Sequence, residues 1–344
     1  MGDGMKKIIC LASVVFVVLF GVLIIKNPQI CTFSALNGLL LCARVVIPSL
    51  YPFTFCVLFI INSGVLNSLK FFDKLTVKIF GMPFSLFTVF LLSLIGGYPL
   101  GAKLISSTNA DKATVNTMLM FCVNAGPSFI ISAVGVGKFG SAQIGLLLFI
   151  CHIIPSFVMA FMLKKRLRLA QIAPSKPFGI SDNFVRSATA AAETLIGICG
   201  FVVLFSIICA YINTIPFLKP LCMLLEITNG INMTQNILYL SFLLGFGGIC
   251  IWCQILTIAK AKKPKVSSFV LSRIFHGLSS CALTYLSLKL FGLAIPTVSN
   301  AKSVTYTTFT NGAAVGVSLI IMGLTLIISL KNKNYTGNML NDIV

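Results

Sequence analysis

The segment LLSLIGGYPLGAKLISS, residues 91–107, starts as an apolar helix, is interrupted by the string GGYP, and resumes through Lys103. The apolar piece before the interruption, residues 84–95, would be about 18 Å long as a helix, and the piece after the proline is of similar length. Proline removes a backbone donor and disfavours helix in the residue before it. The pattern therefore predicts two short helices joined by a tight turn.

The composition predicts that these helices lie in a membrane. Hydrophobic residues make up 57% of the chain and charged residues 10%, and the mean hydropathy is +1.01. Soluble domains carry roughly 25% charged residues. The sequence thus predicts an all-α polytopic membrane protein and argues against a soluble enzyme. Because neither piece of residues 84–107 can cross a hydrocarbon core of about 30 Å, we expect a re-entrant hairpin there.

The net charge of +19 is concentrated in loops. The basic clusters at residues 164–168 and 260–265 each follow an apolar run. Such clusters hold helix ends at anionic lipid surfaces and bias orientation. No folded basic surface for nucleic acid is evident.

The cysteine pattern gives no support for a metal or another cofactor. The twelve cysteines lie mostly inside apolar segments, and Cys250 and Cys253 form a C-x-x-C pair. A zinc site would need two more ligands, and the only histidines are His152 and His276. We expect neither a metal nor a disulfide framework.

The second half of the chain repeats the first at an offset of 151 residues. LLGFGGICIWCQIL, residues 243–256, aligns without a gap with residues 92–105, and Lys103 pairs with Gln254. We therefore predict a second re-entrant hairpin over residues 236–260. The predicted crossings between the hairpins are odd in number, so the second repeat would be inverted, which is typical of a transporter with a central site. This scheme puts the two basic clusters on opposite faces, whereas the positive-inside rule would put both inside, so orientation stays open.

The domain organisation follows from these patterns. Apolar residues near the N-terminus indicate an uncleaved helix; the alternative, a signal peptide, lacks a small-residue cleavage site. The predicted parts are an N-terminal transmembrane helix (1–30), a first repeat (31–168), a linker (169–185), a second repeat (186–312) and a C-terminal transmembrane helix with its tail (313–344).

Several strings resemble a known family. GGYPLGAK at residues 96–103, FCVNAGPSFIISAVGVG at 121–137, LEITNG at 225–230 and FLLGFGGICIWCQ at 242–254 are similar to the YlbJ family of sporulation integral membrane proteins, which carry the nucleoside-recognition, or Gate, domain. The resemblance implies a fold like that of concentrative nucleoside transporters, a possible homo-oligomer, and transport of dipicolinic acid across the outer forespore membrane.

Dipicolinate is a flat pyridine with two carboxylates, so its site must offer donors. Half-helix N-termini present free N–H groups, and glycines allow close backbone approach. The candidate substrate-binding residues are Gly96, Gly97, Pro99, Lys103, Asn124, Gly126, Ser128, Glu193, Glu226, Asn229, Gly247, Gly248 and Gln254.

Each candidate also has a structural alternative. The glycines would serve tight helix packing, and Lys103 would snorkel to the interface. Asn124 and Ser128 would satisfy carbonyls freed around a proline. A carboxylate at Glu193 is expensive in lipid, so it is either functional or paired with Arg44 or Arg273. Glu226 would be a loop-end charge.

Two other functions stay open beside dipicolinate transport. A nucleoside or another small solute would use the same fold, because a fold alone does not decide the substrate. A non-transporting scaffold of the spore envelope is the other alternative. No catalytic set or phosphate loop has convincing spacing, so we expect no enzyme.

Overall fold

The computed structural model describes residues 3–65, 72–108, 110–167 and 179–291, and the regular structure in these ranges is helical. The helices are α1 (Asp3–Lys26), α2 (Pro28–Leu41), a π-helical segment (Cys42–Val46), α3 (Ile47–Asn62), α4 (Asp73–Phe80), α5 (Phe84–Gly96), α6 (Leu100–Ser107), α7 (Lys112–Leu119), a second π-helical segment (Ser128–Val136), α8 (Gly137–Phe139), α9 (Ala142–Met162), α10 (Ile180–Asn213), α11 (Leu221–Leu225), α12 (Ile227–Met233), α13 (Ile237–Phe246), α14 (Ile249–Ile258) and α15 (Val266–Phe291). The predicted C-terminal helix, residues 313–344, and most of the linker lie outside the described residues.

Five helical segments in these ranges are long and apolar enough to cross a membrane. They are Pro28–Val46, Ala142–Met162, Ile180–Asn213, Ile237–Ile258 and Val266–Leu290. The apolar part of α1, Cys10–Lys26, is a shorter helix of this kind. The expectation of an all-helical polytopic chain is therefore confirmed over the described residues.

The longest helix, α10, runs antiparallel to the run formed by α2 and α3. Near one end the Tyr211 hydroxyl donates to the Asn27 carbonyl at 2.8 Å, and near the other the Asn183 amide donates to the Phe59 carbonyl at 3.0 Å. A Cβ on Gly38 would lie only 3.0 Å from the Val203 Cα, so a small residue sets the close packing between them.

The first double-glycine break folds the chain back on itself. Helix α5 ends at Gly96, Gly97 has a φ of +73°, and α6 begins at Leu100. A Cβ on Gly101 would lie 2.9 Å from the Ser93 Cβ, although eight positions separate the two residues. In one continuous helix they would be about 12 Å apart. The chain therefore folds back at this break, and α5 and α6 form a helical hairpin.

The second double-glycine break has a different shape from the hairpin expected over residues 236–260. Gly247 and Gly248 both have a positive φ, of +84° and +79°, and α14 resumes at the next residue. Helices α13 and α14 together form one candidate span of 22 residues, Ile237–Ile258. The length is sufficient to cross a hydrocarbon core. The break therefore interrupts a span without reversing the chain.

Both basic clusters lie at one end of the molecule, which we call the basic end. The segments Lys164–Arg166 and Lys260–Lys262 both contact α7. The Lys262 ammonium donates to the Thr108 and Ala110 carbonyls at 2.9 and 3.2 Å, just beyond α6. The sequence scheme placed the clusters on opposite faces. That placement is corrected because α13 and α14 carry the chain across once more.

The start of α5 also lies at the basic end. A Cβ on Gly81, three residues before α5, would lie 2.4 Å from the Lys164 carbonyl oxygen. Since the residues that follow α6 contact Lys262, both open ends of the α5–α6 hairpin are at this end. The opposite end, where Tyr211 meets Asn27, is called the far end.

Candidate functional site

Four interruptions of the helical backbone meet around one central cavity of about 90 Å³. Tyr98 comes from the first break, and Gly126 from the non-helical segment that follows α7. Glu226 is the single residue between α11 and α12. Cys250 and Gln254 come from α14, directly after the second break. Segments far apart in sequence thus build one site.

The interruptions contact one another closely. A Cβ on Gly97 would lie 2.8 Å from the Gly126 nitrogen, and one on Gly247 would lie 3.5 Å from the Tyr98 hydroxyl. That hydroxyl donates to the Leu244 carbonyl, so it ties the first break to α13. A Cβ on Gly248 would lie 3.3 Å from the Ile227 nitrogen. Glycine suits Gly97 and Gly248 because backbone atoms approach them closely, and it suits Gly247 because the φ there is +84°.

The first turn of α14, which has no side-chain cap, borders the cavity. The Trp252 N–H donates to the Gly248 carbonyl at 3.2 Å. The three residues before Trp252 begin the helix and have no carbonyl one turn earlier within it. Two of them, Cys250 and Ile251, line the cavity. An N-terminal turn also carries a partial positive charge, which favours an electronegative ligand atom.

The non-helical segment after α7 is held by buried polar side chains. The Asn124 amide donates to the Phe121 carbonyl at 2.8 Å, and its oxygen accepts from the Ser156 hydroxyl at 2.5 Å. Asn124 is fully buried and does not line the central cavity. Asn124 therefore has the structural role given above as the alternative: its amide bonds to a carbonyl that the unwound backbone leaves without a helical partner.

Arg273 and the two histidines brace the same segment, and sequence reasoning missed this role. The guanidinium of Arg273 is fully buried and donates to the Val123 and Met120 carbonyls. It therefore takes the place of the helical N–H groups that α7 no longer supplies. Its two terminal nitrogens donate to these carbonyls, so a pair with Glu193, one of the alternatives for that carboxylate, is not what holds it. A lone arginine in an apolar helix was the available signal.

The two histidine rings stack face to face next to the segment that carries Gly126. Their ring centroids are 4.6 Å apart. His152 Nε2 accepts from the Ala125 N–H at 3.0 Å, and His276 Nε2 lies 2.8 Å from the His152 carbonyl oxygen. Both residues are buried. They fix the backbone that carries Gly126 to the cavity wall.

A second cavity, of about 160 Å³, lies towards the basic end. It collects Lys103, Glu193 and Gln254, which sequence analysis had selected from three different segments. Gln254 and Ile198 also line the central cavity, so the two spaces are adjacent. The basic-end cavity offers one cation and one carboxylate to a ligand.

A third cavity, of about 480 Å³, lies towards the far end. It shares Leu41, Glu226 and Thr228 with the central cavity. Helix α10 lines all three, from Glu193 in the basic-end cavity to Asn213 in the far cavity. These two positions are about 30 Å apart along a helix, close to the thickness of a hydrocarbon core.

The other predicted site residues lie at or next to the breaks. Ser128 begins the second π-helical segment, and Asn229 lies in α12 directly after Thr228. Five more form the two breaks and line none of the three cavities described above: Gly96, Gly97, Pro99, Gly247 and Gly248.

The fold and these apolar helices define an integral membrane protein. The chain is distantly related to the sporulation integral membrane protein YlbJ of Bacillus subtilis (strain 168), with 22% identity over an alignment that covers 82% of this chain and 84% of the relative. This relationship indicates a membrane role in sporulation. No family model and no solved structure matches the chain.

Proposed function

We propose that the protein is a transporter or facilitator that moves a small solute across a membrane of the sporulating cell. The observation that carries the proposal is the meeting of four backbone interruptions at a cavity that lies between two others along α10. Broken backbone at membrane depth is tolerated where it is buried in protein or lines a wet passage. A purely structural bundle of helices has no need of four such breaks in one place.

The proposed arrangement makes the α5–α6 hairpin re-entrant from the basic end, with that end in the cytoplasm. The positive-inside rule places Lys and Arg clusters on the cytoplasmic side, and both clusters lie at the basic end. The open ends of the hairpin are there as well. The solute would then pass from the basic-end cavity to the far cavity, or the reverse.

The two-fold repeat is proposed in a modified form. At the offset of 151 residues, α3 corresponds to the last part of α10, and the two helices are antiparallel, as inversion requires. The second break, however, belongs to a candidate span, Ile237–Ile258, and not to a second re-entrant hairpin. The repeat would therefore be inverted up to the double-glycine breaks, since α5 starts at the basic end and α13 at the opposite end, and not beyond them.

Dipicolinic acid, crossing the outer forespore membrane, is the substrate that we propose on the resemblance and the distant relative. Lys103 supplies a full positive charge in the basic-end cavity. The first turn of α14 supplies backbone donors in the central cavity. Arg273 adds a buried positive charge behind the wall that contains Gly126. Together these groups favour carboxylates along the first half of the passage.

The test is dipicolinate flux into liposomes that contain the purified protein. We expect flux above that of empty liposomes, and a loss of at least about tenfold for Lys103→Ala, because a charge-assisted contact is worth about 1.5–3 kcal/mol. Lys112→Ala, at an exposed lysine that lines none of the three cavities, is the matched control. Absence of flux in both orientations of the inserted protein would reject the substrate.

A neutral solute such as a nucleoside is a second candidate, and one observation favours it. The central cavity contains the carboxylate of Glu226, and no lysine or arginine is among the described residues that line it. A carboxylate suits ribose hydroxyls better than it suits a dianion. Flux of uridine that dipicolinate does not inhibit would favour this candidate. Flux of neither compound would leave the spore-envelope scaffold as the function to test.

A further inference from the structure

The far cavity has a polar wall whose chemistry differs from that of the basic-end cavity. It lies between α2 and α10 and has a volume of about 480 Å³. Its polar lining consists of Ser34, Asn37, Ser206, Asn213, Glu226 and Thr228. None of the described residues that line it is a lysine or an arginine.

The two serines can only accept hydrogen bonds from a ligand. The Ser34 hydroxyl donates to the Ile30 carbonyl at 2.6 Å, and the Ser206 hydroxyl donates to the Val202 carbonyl at 2.8 Å. A hydroxyl has one hydrogen and two lone pairs. Since both hydrogens are used within the helices, only oxygen lone pairs remain for the cavity.

Glu226 adds a negative charge to these acceptors. Its side chain is 4% exposed, and one carboxylate oxygen accepts from the Thr228 N–H at 3.0 Å. An ionised carboxylate is an acceptor only. The side-chain amides of Asn37 and Asn213 can rotate to present either the oxygen or the nitrogen. They can therefore add acceptor oxygens to the wall. The wall therefore complements a ligand that carries positive charge and several N–H donors.

We propose that the far cavity binds a small organic ammonium ion, with Glu226 as its counter-charge and Ser34 and Ser206 as acceptors. The volume is far larger than a bare metal ion needs and accommodates an alkylammonium group with its substituents. A cation bound beside the carboxylate would lower the cost of holding that charge at membrane depth. The inference deepens the proposed transport function, because a cation held in the passage would offset the charge of an anion that crosses it.

The experiment measures ligand-dependent thermal stability of the full-length protein in detergent. The probe is methylammonium, with tetramethylammonium as a cation of equal charge that lacks N–H donors, and sodium at matched ionic strength. Methylammonium is expected to raise the unfolding midpoint in a saturable manner, because a ligand that binds only the folded state stabilises it. Tetramethylammonium and sodium should not raise it.

Three variants locate the site. Glu226→Gln should weaken methylammonium binding by at least about tenfold, and Ser206→Ala by about two- to fivefold. Asp182→Asn, at an exposed carboxylate at the start of α10 that lines none of the three cavities, should leave the affinity unchanged. If Glu226→Gln does not give monodisperse protein, Ser206→Ala decides.

Three results would overturn the proposal: no saturable stabilisation by methylammonium, equal stabilisation by tetramethylammonium, or wild-type affinity in the deciding variant. Each is independent of dipicolinate flux. Methylammonium binding without dipicolinate flux would support the ammonium site and reject dipicolinate as the solute. Dipicolinate flux without methylammonium binding would support the solute and reject the ammonium site.

Discussion

The two double-glycine breaks of this chain have similar sequences and different shapes. At the first break, α6 folds back along α5, so that Gly101 lies against Ser93. At the second, α14 continues across in the span Ile237–Ile258. Both breaks nevertheless deliver residues to the same central cavity. Two glycines permit an interruption, and residues further along decide the direction in which the chain leaves it.

The deciding pair is Gly101 and Trp252, which are equivalent at the offset of 151 residues. A Cβ on Gly101 would lie 1.9 Å from the Cys122 carbonyl oxygen, so only glycine lets α6 lie there. Trp252 instead packs its ring 4.5 Å from that of Phe246 and donates to the Phe246 carbonyl at 2.7 Å. A large ring at this position leaves no room for a second arm to fold back.

The largest loss of stability is expected when Gly101, after the first break, is replaced by tryptophan, the residue at the equivalent position after the second break. Gly101→Trp places an indole where a backbone carbonyl already lies, and overpacking of this kind costs more than about 3 kcal/mol. We expect little monodisperse protein by size-exclusion chromatography. Gly200→Ala is the control, because no atom lies within 4 Å of its Cβ position. A Gly101→Trp protein as stable as the wild type would contradict the folded-back hairpin.

A slightly smaller effect is expected from Arg273→Met. The change leaves the Met120 and Val123 carbonyls buried without their donor, at a cost of about 1–3 kcal/mol each. The segment that carries Gly126 should loosen, so dipicolinate flux should fall at least about tenfold together with the unfolding midpoint. Arg166→Met, at an exposed arginine of the basic end, is the matched control. Unchanged dipicolinate flux would show that the segment carrying Gly126 does not form part of the transport site.

Much of the fold could be predicted from the sequence because its signals are local. The first hairpin follows from two glycines and a proline in an apolar run, and the apolar windows indicate the spans. The bracing of the unwound segment by Arg273 could not be predicted, since 150 positions separate Arg273 from Val123. The shape of the second break depended on Trp252, whose bulk matters only when the packing around it is known.

The candidate site was predicted in part. Lys103, Glu193 and Gln254 do line one cavity; the first two stood out as charges in apolar segments, and Gln254 as the repeat equivalent of Lys103. Asn124 was selected as part of an interruption next to a proline, and it bonds to Phe121 and Ser156 without lining the central cavity. The position of Glu226 between two cavities could not be predicted, since it depends on how α11 and α12 pack against α2, α10 and α14.

A moderate effect is expected when the two breaks are separated from each other. Tyr98→Phe removes the hydrogen bond to the Leu244 carbonyl and keeps the ring, so the cost is about 1 kcal/mol. The unfolding midpoint should fall by about 2 °C for a chain of this size. In Tyr239→Phe, at a tyrosine whose hydroxyl makes no hydrogen bond within the described structure, the midpoint should stay unchanged. Equal shifts of the unfolding midpoint in both variants would show that the Tyr98 hydrogen bond does not hold the two breaks together.

The smallest effect is expected at the basic end. Lys262→Met removes the ammonium that holds the Thr108 and Ala110 carbonyls, at a cost of about 0.5–1 kcal/mol. Amide hydrogen exchange should become faster just beyond α6 and stay unchanged in α10. Lys260→Met, at an exposed lysine of the same cluster, is the control. If amide exchange just beyond α6 did not change, the end of α6 would not lie at this basic cluster.

The first break returns the chain to the basic end while the second carries it across, and both lie at one cavity. A density map of the protein in a lipid nanodisc would test this arrangement. We expect α6 to fold back along α5 with Gly101 against Cys122, and residues 237–258 to span the bilayer beside them. A straight rod over residues 84–107, or a second hairpin that returns to the far end, would contradict it.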